Sequence, residues 1–296
     1  MSFQAIRFDT TRADAWSDAL LEHGALSVDV ADALAGTPRE QAQFGEPGET
    51  VAPWTISRVV ALFDARHDVP AALKAASEDL GEPLPDHTAQ PVDDQDWVRA
   101  TQRQFGPIAI GAHLHIVPTW CEPPTDNAGV ILRLDPGLAF GTGSHPTTRM
   151  CLEWLAGQSL QGASVLDYGC GSGVLAIASA KLGASRVVGT DIDVQALQAS
   201  RDNAGANHVR VDFVAVDALP AEAFDVVVAN ILANPLIALA PLIASRVHPA
   251  GRLALSGILD SQSDAVVIAY SRWFTLAASR RMDGWALMTG ERRVAD

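Results

Sequence analysis

From residue 163 onward, strand-sized apolar runs alternate with helix-sized stretches, and this alternation restricts the fold more than any other feature of the chain. The runs "ASVLDYG" (163–169), "SRVVGTDI" (185–192), "VDFVAVDA" (211–218) and "AFDVVVANI" (223–231) read as strands. Between them, "GVLAIASAKLG" (173–183) and "DVQALQASRDNAGAN" (193–207) read as helices, and "PLIALAPLIASRV" (235–247) as a third after the last. Further strands are expected near 252–257, 273–279 and 285–290. Strands joined by right-handed helical crossovers build a doubly wound α/β sheet with helices on both faces. Its ligand lies beyond the carboxyl ends of the strands, where the strand order switches.

The first strand-to-helix turn of this region is "LDYGCGSGVLA" (166–176). Gly169, Gly171 and Gly173 lack Cβ atoms, so a ligand can approach the backbone, and the following helix presents unpaired N–H groups. The spacing is G-x-G-x-G after Asp167, not the G-x-G-x-x-G of a dinucleotide site, and no Lys-Ser/Thr follows as in a Walker A loop. Asp191 closes the second strand, 22 residues after Gly169, where a carboxylate accepts both hydroxyls of a ribose. Asp217 is read as the end of the third strand, placed for an adenine amino group. Together these residues describe an adenosine site that needs no pyrophosphate. At the end of the fourth strand, in "VVVANILANP" (226–235), Asn230 is either a ligand-facing amide or an ordinary strand-closing Asn.

The chain has 296 residues, 48% of them hydrophobic, which suffices for two domains with real cores. Residues 1–92 show a β-α-β-β-α-β order, a small α+β ferredoxin-like pattern. The polar stretch 93–106 reads as a helical linker, and 107–296 as the second domain. No run of apolar residues is long enough for a membrane span, and the amino terminus has no signal-peptide pattern. Three cysteines without zinc-ligand spacing predict no metal site and suit a reducing cytoplasm. The net charge of −14 and pI of about 4.9 argue against direct nucleic-acid binding. Residues 1–92 hold fifteen Asp/Glu against six Lys/Arg, a net of −9, so most of the acidity lies there, ready for a basic partner.

"VLDYGCGSG", "VVGTDID" and "VAVDAL" resemble the first three motifs of class I S-adenosylmethionine methyltransferases, whose sheet is Rossmann-like. "LDPGLAFGTGSHPTTRMCLEWL" (134–155), "VVVANILANPL" (226–236) and "DQDWVRATQRQFGPIAIGAHLHIVPTW" (94–120) are very similar to the ribosomal protein L11 methyltransferase (PrmA) family, and the likeness extends over nearly the whole chain. One departure is Thr101, where the family often has a second linker Trp. The resemblance implies S-adenosylmethionine as cofactor, with Thr148, Gly169, Asp191 and Asn230 as contacts. Phe140 and Thr142, in the loop before Thr148, join Gly171 and Asp217 as further contributors. It implies N-methylation of lysine ε-amines and the α-amine of a basic large-subunit ribosomal protein, by a cytoplasmic monomer whose first domain recognises the substrate. Asn230 and the carbonyls of Ile231 and Leu232 would then accept hydrogen bonds from the incoming amine. His145 offers two roles, a general base or a helix start before Pro146. The competing function is a small-molecule methyltransferase whose amino-terminal domain serves oligomerisation.

Overall fold

The structure is a computed structural model describing residues 3–35, 37, 39–40, 54–92, 106–112, 114–124, 129–135 and 145–294. The expected linker helix falls on 93–106, of which 93–105 lie outside the described residues, as do Phe140 and Thr142. Two compact units divide the chain, Met1–Thr101 and Gln102–Asp296.

The first unit contains β1 (Phe3–Thr10), α1 (Ala13–Glu22), β2 (Ser27–Asp32), β3 (Ser57–Asp64), α2 (Val69–Leu80) and β4 (Thr88–Val92). The strands form one antiparallel sheet in the order β2-β3-β1-β4, which is the split β-α-β arrangement expected from the sequence. Alternation decides the buried face: Ile6 and Phe8 of β1 and Val59, Ala61 and Phe63 of β3 join Trp16, Leu20, Leu73 and Ala76 of the helices in one core. α2 starts where Asp68 accepts from the Ala71 N–H at 3.1 Å, with Pro70 in its first turn, and it ends at Gly81 in the left-handed region. Glu82 then ties the two helices together, accepting from Trp16 Nε1 at 2.8 Å and from Arg12 at 2.7 Å.

The second unit opens with three short strands, β5 (Ile108–Ile110), β6 (Leu114–Val117) and β7 (Val130–Arg133), in a sheet of their own. There follow α3 (Pro146–Ala156), β8 (Ser164–Tyr168), α4 (Val174–Lys181), β9 (Arg186–Asp191), α5 (Val194–Ala206), β10 (Asp212–Ala215) and β11 (Phe224–Asn230). The chain continues through α6 (Ala233–Ala238), α7 (Ala240–Ser245), β12 (Val247–Leu259), α8 (Ser263–Tyr270), β13 (Ala277–Met282) and β14 (Trp285–Glu291). Strands β8–β14 form one sheet in the order β10-β9-β8-β11-β12-β14-β13, parallel from β10 to β12 and antiparallel where β14 and β13 close it. Along β11, Val226 and Val228 face the core of α3, α4 and α5, whereas Val227 and Ala229 face that of α6, α7 and α8. Helices thus cover both faces, as a doubly wound sheet requires. Asn207, just past α5, clips the small sheet on: its Oδ1 accepts from the Arg133 N–H at 2.8 Å and its Nδ2 donates to the Arg133 carbonyl at 2.6 Å.

Three local expectations change. The third strand ends at Ala215, and Asp217 lies beyond it in a 3-10 turn (Val216–Ala218), exposed to solvent, so it does not close a strand. The helix expected over 235–247 is two helices, because Pro241 cannot continue a helix and instead sits in the first turn of the second. The last strands form an antiparallel hairpin, turned at Asp283 and Gly284 with both residues at positive φ.

Candidate active site

β8 lies between β9 and β11 in the sheet, yet the chain runs outward through β9 and β10 before returning to β11. The switch in strand order therefore falls between β8 and β11, and the crevice there opens at the carboxyl ends of both. Gly169, Asp191 and Asn230 each stand at such an end, and Tyr168 pairs with Thr190 and with Ala229 in register, so the three positions share one edge.

The glycine turn is braced from beneath. The Gly169 and Cys170 N–H groups both donate to the Thr190 carbonyl, at 2.8 and 2.9 Å. From α5, Ser200 Oγ donates to the Gly171 carbonyl and Asn203 Nδ2 to the Ser172 carbonyl, at 3.2 and 2.9 Å. Gly169 has φ of 78°, a region that costs other residues strain, and a Cβ there would lie 2.3 Å from Ile231 Cγ2. Asp191 joins the turn to the second strand: its Oδ2 accepts from the Gly171 N–H at 2.8 Å and its Oδ1 from the Asp193 N–H at 3.0 Å. Two backbone donors fix the carboxylate plane and leave lone pairs pointing outward. Ile192, the next residue, is 89% exposed and lays apolar surface beside it.

On the other side of the switch point, Asn230 Nδ2 donates to Thr148 Oγ1 at 3.2 Å. Thr148 is 2% exposed and belongs to the first turn of α3, so β11 and α3 are joined at the sheet edge. The bond turns the Asn230 carbonyl oxygen away from Thr148. Leu232 caps α6, its carbonyl accepting from the Leu236 N–H at 3.1 Å, so one of its lone pairs is already used. The Ile231 carbonyl lies close beside Gly257 of β12.

His145 is the N-cap of α3. Its Nδ1 accepts from the Thr147 N–H at 3.4 Å and lies 2.7 Å from the Thr147 hydroxyl, which places the ring proton on Nε2. The ring packs edge-on against Trp285 at 5.1 Å, and partial burial holds its pKa below the usual histidine value. The structure thus brings together Thr148 with Asn230, Gly171 with Asp191, and Gly169 with Ile231. Asp217 lies in its exposed turn, two residues past Ala215, which pairs with Asp191.

One residue beside these positions escaped the sequence reading: Gly257, whose signal was an isolated glycine inside the strand pattern "LALSGIL". Asp167, which the sequence places before the glycine turn, is completely buried; its Oδ2 accepts from the Ala176 N–H at 3.0 Å while Oδ1 has no partner among the described residues. Burial pushes its carboxyl up to about 7; the Ala176 bond opposes this and the Asp191 charge adds to it. The unfolded chain releases this proton near the ordinary carboxylate value, so between that value and 7 the folded state binds more protons. The stability contributed by neutral Asp167 is therefore complete at low pH and is lost as pH rises to about 7. Asp167→Asn is expected to gain about 2–3 kcal/mol relative to the parent between pH 5 and 8, read by urea unfolding at both values. A difference independent of pH would show that Asp167 is ionised in the folded protein throughout.

A family model described as ribosomal protein L11 methyltransferase (PrmA) matches residues 2–293. A ribosomal protein L11 methyltransferase of Chromobacterium violaceum is 53% identical over 288 residues, 97% of this chain and 96% of its own. Another, from Neisseria meningitidis serogroup A, is 52% identical over 282 residues, 95% of each chain. Among solved structures, the ribosomal protein L11 methylase from Lactobacillus delbrueckii subsp. bulgaricus matches with a TM-score of 0.60 at 34% identity, covering 64% of this chain and 100% of that one.

Proposed function

The chain belongs to the ribosomal protein L11 methyltransferase (PrmA) family, and on that premise we propose that it methylates lysine ε-amines and the amino-terminal α-amine of ribosomal protein L11. It is an S-adenosylmethionine-dependent methyltransferase. The observation that carries the reading is the Thr148–Asn230 hydrogen bond set beside the glycine turn at one sheet edge.

The residues of that edge fit the cofactor. Gly169 and Gly171, both at positive φ, expose backbone without Cβ atoms in the way. Asp191 offers its outward lone pairs to a ribose diol, and Ile192 offers an apolar surface to a flat base. When bound, S-adenosylmethionine supplies an electrophilic methyl group on a sulfonium. The chain must then present a neutral amine in line with that methyl. A free lysine titrates near about 10.4, so desolvation in a closed pocket has to favour the neutral form. Asn230 Oδ1 and the Ile231 carbonyl accept hydrogen bonds from the amine and aim its lone pair, which makes positioning and water exclusion the chief contributions. Leu232 helps less, because its carbonyl starts α6. His145 acts as a helix start and not as the base, since the nitrogen free to accept a proton is already held by Thr147. Thr148 borders the cofactor from the α3 side, Asp217 contributes from its turn, and the family resemblance adds Phe140 and Thr142 as further contacts.

The acidic first unit is assigned to substrate recognition, since ribosomal proteins are commonly basic and the enzyme's −14 charge would steer one inward. No helix among the described residues is long and apolar enough to cross a membrane, and we place the enzyme in the cytoplasm as a monomer that does not bind nucleic acid directly. Mass spectrometry of L11 from cells with and without the enzyme tests the activity. Methylated lysines and α-amine are expected only with it, and a label appearing on a small molecule would favour a small-molecule enzyme. Recognition by charge predicts a KM for L11 that rises several-fold between about 50 and 300 mM salt. A flat KM over that range would remove the electrostatic role of the first unit.

A further inference from the structure

Ile231 sits between two glycines on the segments flanking β11, one just past β8 and one within β12. On one side is Gly169, at the end of β8; its absent Cβ would lie 2.3 Å from Ile231 Cγ2. On the other is Gly257 of β12, with φ of 82°, whose absent Cβ would lie 2.3 Å from the Ile231 carbonyl oxygen, 2.7 Å from its carbon and 3.1 Å from its nitrogen. The second contact is backbone against backbone, so no side-chain rotation relieves it. β12 departs from its regular pairing with β14 between Leu255 and Ile258, and Gly257 lies in that irregularity. Ser256 alongside is wholly buried, its Oγ donating to the Ala286 carbonyl at 3.2 Å, and it pairs in register with Asn230. The sheet thus bends at Gly257 directly beside the peptide that follows Asn230.

We propose that Gly257 is a positioning residue for methyl transfer: its missing side chain and left-handed backbone let β12 press on Ile231, which, wedged against Gly169, fixes the direction of the Ile231 carbonyl toward the acceptor amine. This rests on the assignment of Asn230 and Ile231 to the acceptor side. A Cβ at position 257 would push the Ile231 carbonyl and, with it, Asn230. The donor-side contacts at Gly171 and Asp191 run through β9 and α5 and would stay in place.

The test compares Gly257→Ala with Gly284→Ala in the full chain. Gly284 has φ of 80° but nothing among the described residues within 4 Å of its added Cβ, so it carries the backbone strain without the collision. Donor affinity by calorimetry, melting temperature, and kcat and KM for L11 are measured on each. Gly257→Ala is expected to lose at least about tenfold in kcat, because misplacement by an ångström costs up to about 10²-fold. Its donor Kd and its KM for L11 should stay within about threefold of the parent, a change of under about 1 kcal/mol. Gly284→Ala should turn over at the parental rate. Parental kcat in Gly257→Ala, or equal proportional losses in kcat and donor affinity, would overturn the proposal. Should Gly257→Ala not fold, Ile231→Ala decides: lower kcat with donor Kd held supports the wedge, and parental kcat removes it. Asn230→Ala in the same assays separates the two assignments. If it keeps full turnover, the acceptor assignment fails and the proposal with it; if it loses turnover while Gly257→Ala does not, the proposal alone fails.

Discussion

Asn230→Ala is expected to lower kcat by about 10²- to 10³-fold, the usual cost of removing one aligned polar group from a reacting centre. In the proposed mechanism Asn230 performs two tasks through one amide. Its Nδ2 holds Thr148 at 3.2 Å, and that bond would orient Oδ1 for the amine. Alanine removes the acceptor and leaves the Thr148 hydroxyl, buried at 2% exposure, without this donor. The loss should fall on kcat at saturating donor, because the amine needs its lone pair aimed only as the methyl moves. Thr148→Val provides the graded comparison: it keeps the volume, removes the orienting partner, and is expected to lose about tenfold, near the worth of one neutral hydrogen bond. Single-turnover methylation of L11 with donor in excess measures both. Equal losses in kcat and donor affinity for Asn230→Ala would instead make Asn230 a cofactor residue alone.

Asp191→Ala is expected to act on the opposite quantity, weakening the donor by about 10²-fold or more while kcat at saturation falls far less. The carboxylate accepts from Gly171 and Asp193 N–H groups. Its loss removes two charge-assisted hydrogen bonds that shape the turn, each worth about 1.5–3 kcal/mol, together with the outward lone pairs proposed to face a ribose. Calorimetric titration with S-adenosylhomocysteine reads the affinity without any turnover. Donor affinity within twofold of the parent would show that Asp191 is a structural brace of the turn only. Asp191→Asn refines the result, because an amide oxygen can replace one of the two acceptors but not both.

The turn around Gly169 and the acid at Asp191 were legible in the sequence because they obey local rules: a strand, a glycine turn and a helix in succession, then an acid at the next strand end. Asn230 was legible for the same reason. Gly257 was not, since its collision partner is 26 residues away in the chain and adjacent only once β11 and β12 pair. Asp217 was misplaced because "VDFVAVDA" alternates like a strand for longer than the structure extends it; the chain leaves the sheet at Val216 and turns before Pro220. Ser263–Tyr270 carries a Val-Val-Ile run whose β-branched composition conceals a helix that packing against the sheet, and not propensity, imposes. The double role of Pro241 was hidden similarly, a helix breaker that also begins the next helix.

The order β10-β9-β8-β11-β12-β14-β13 leaves two margins on the large sheet. One is β10, only four residues long. The other is β13, which carries Arg280 and Arg281 and loses its regular pairing with β14 between Ala278 and Arg280. Arg280 is tied to Glu153 and Arg281 to Asp260. A short strand and a charged, irregular strand are poor templates for an incoming chain. A catalyst of this build therefore resists fibre-like stacking through its own sheet, and that resistance rests on the shape of those margins as well as on its surplus of carboxylates.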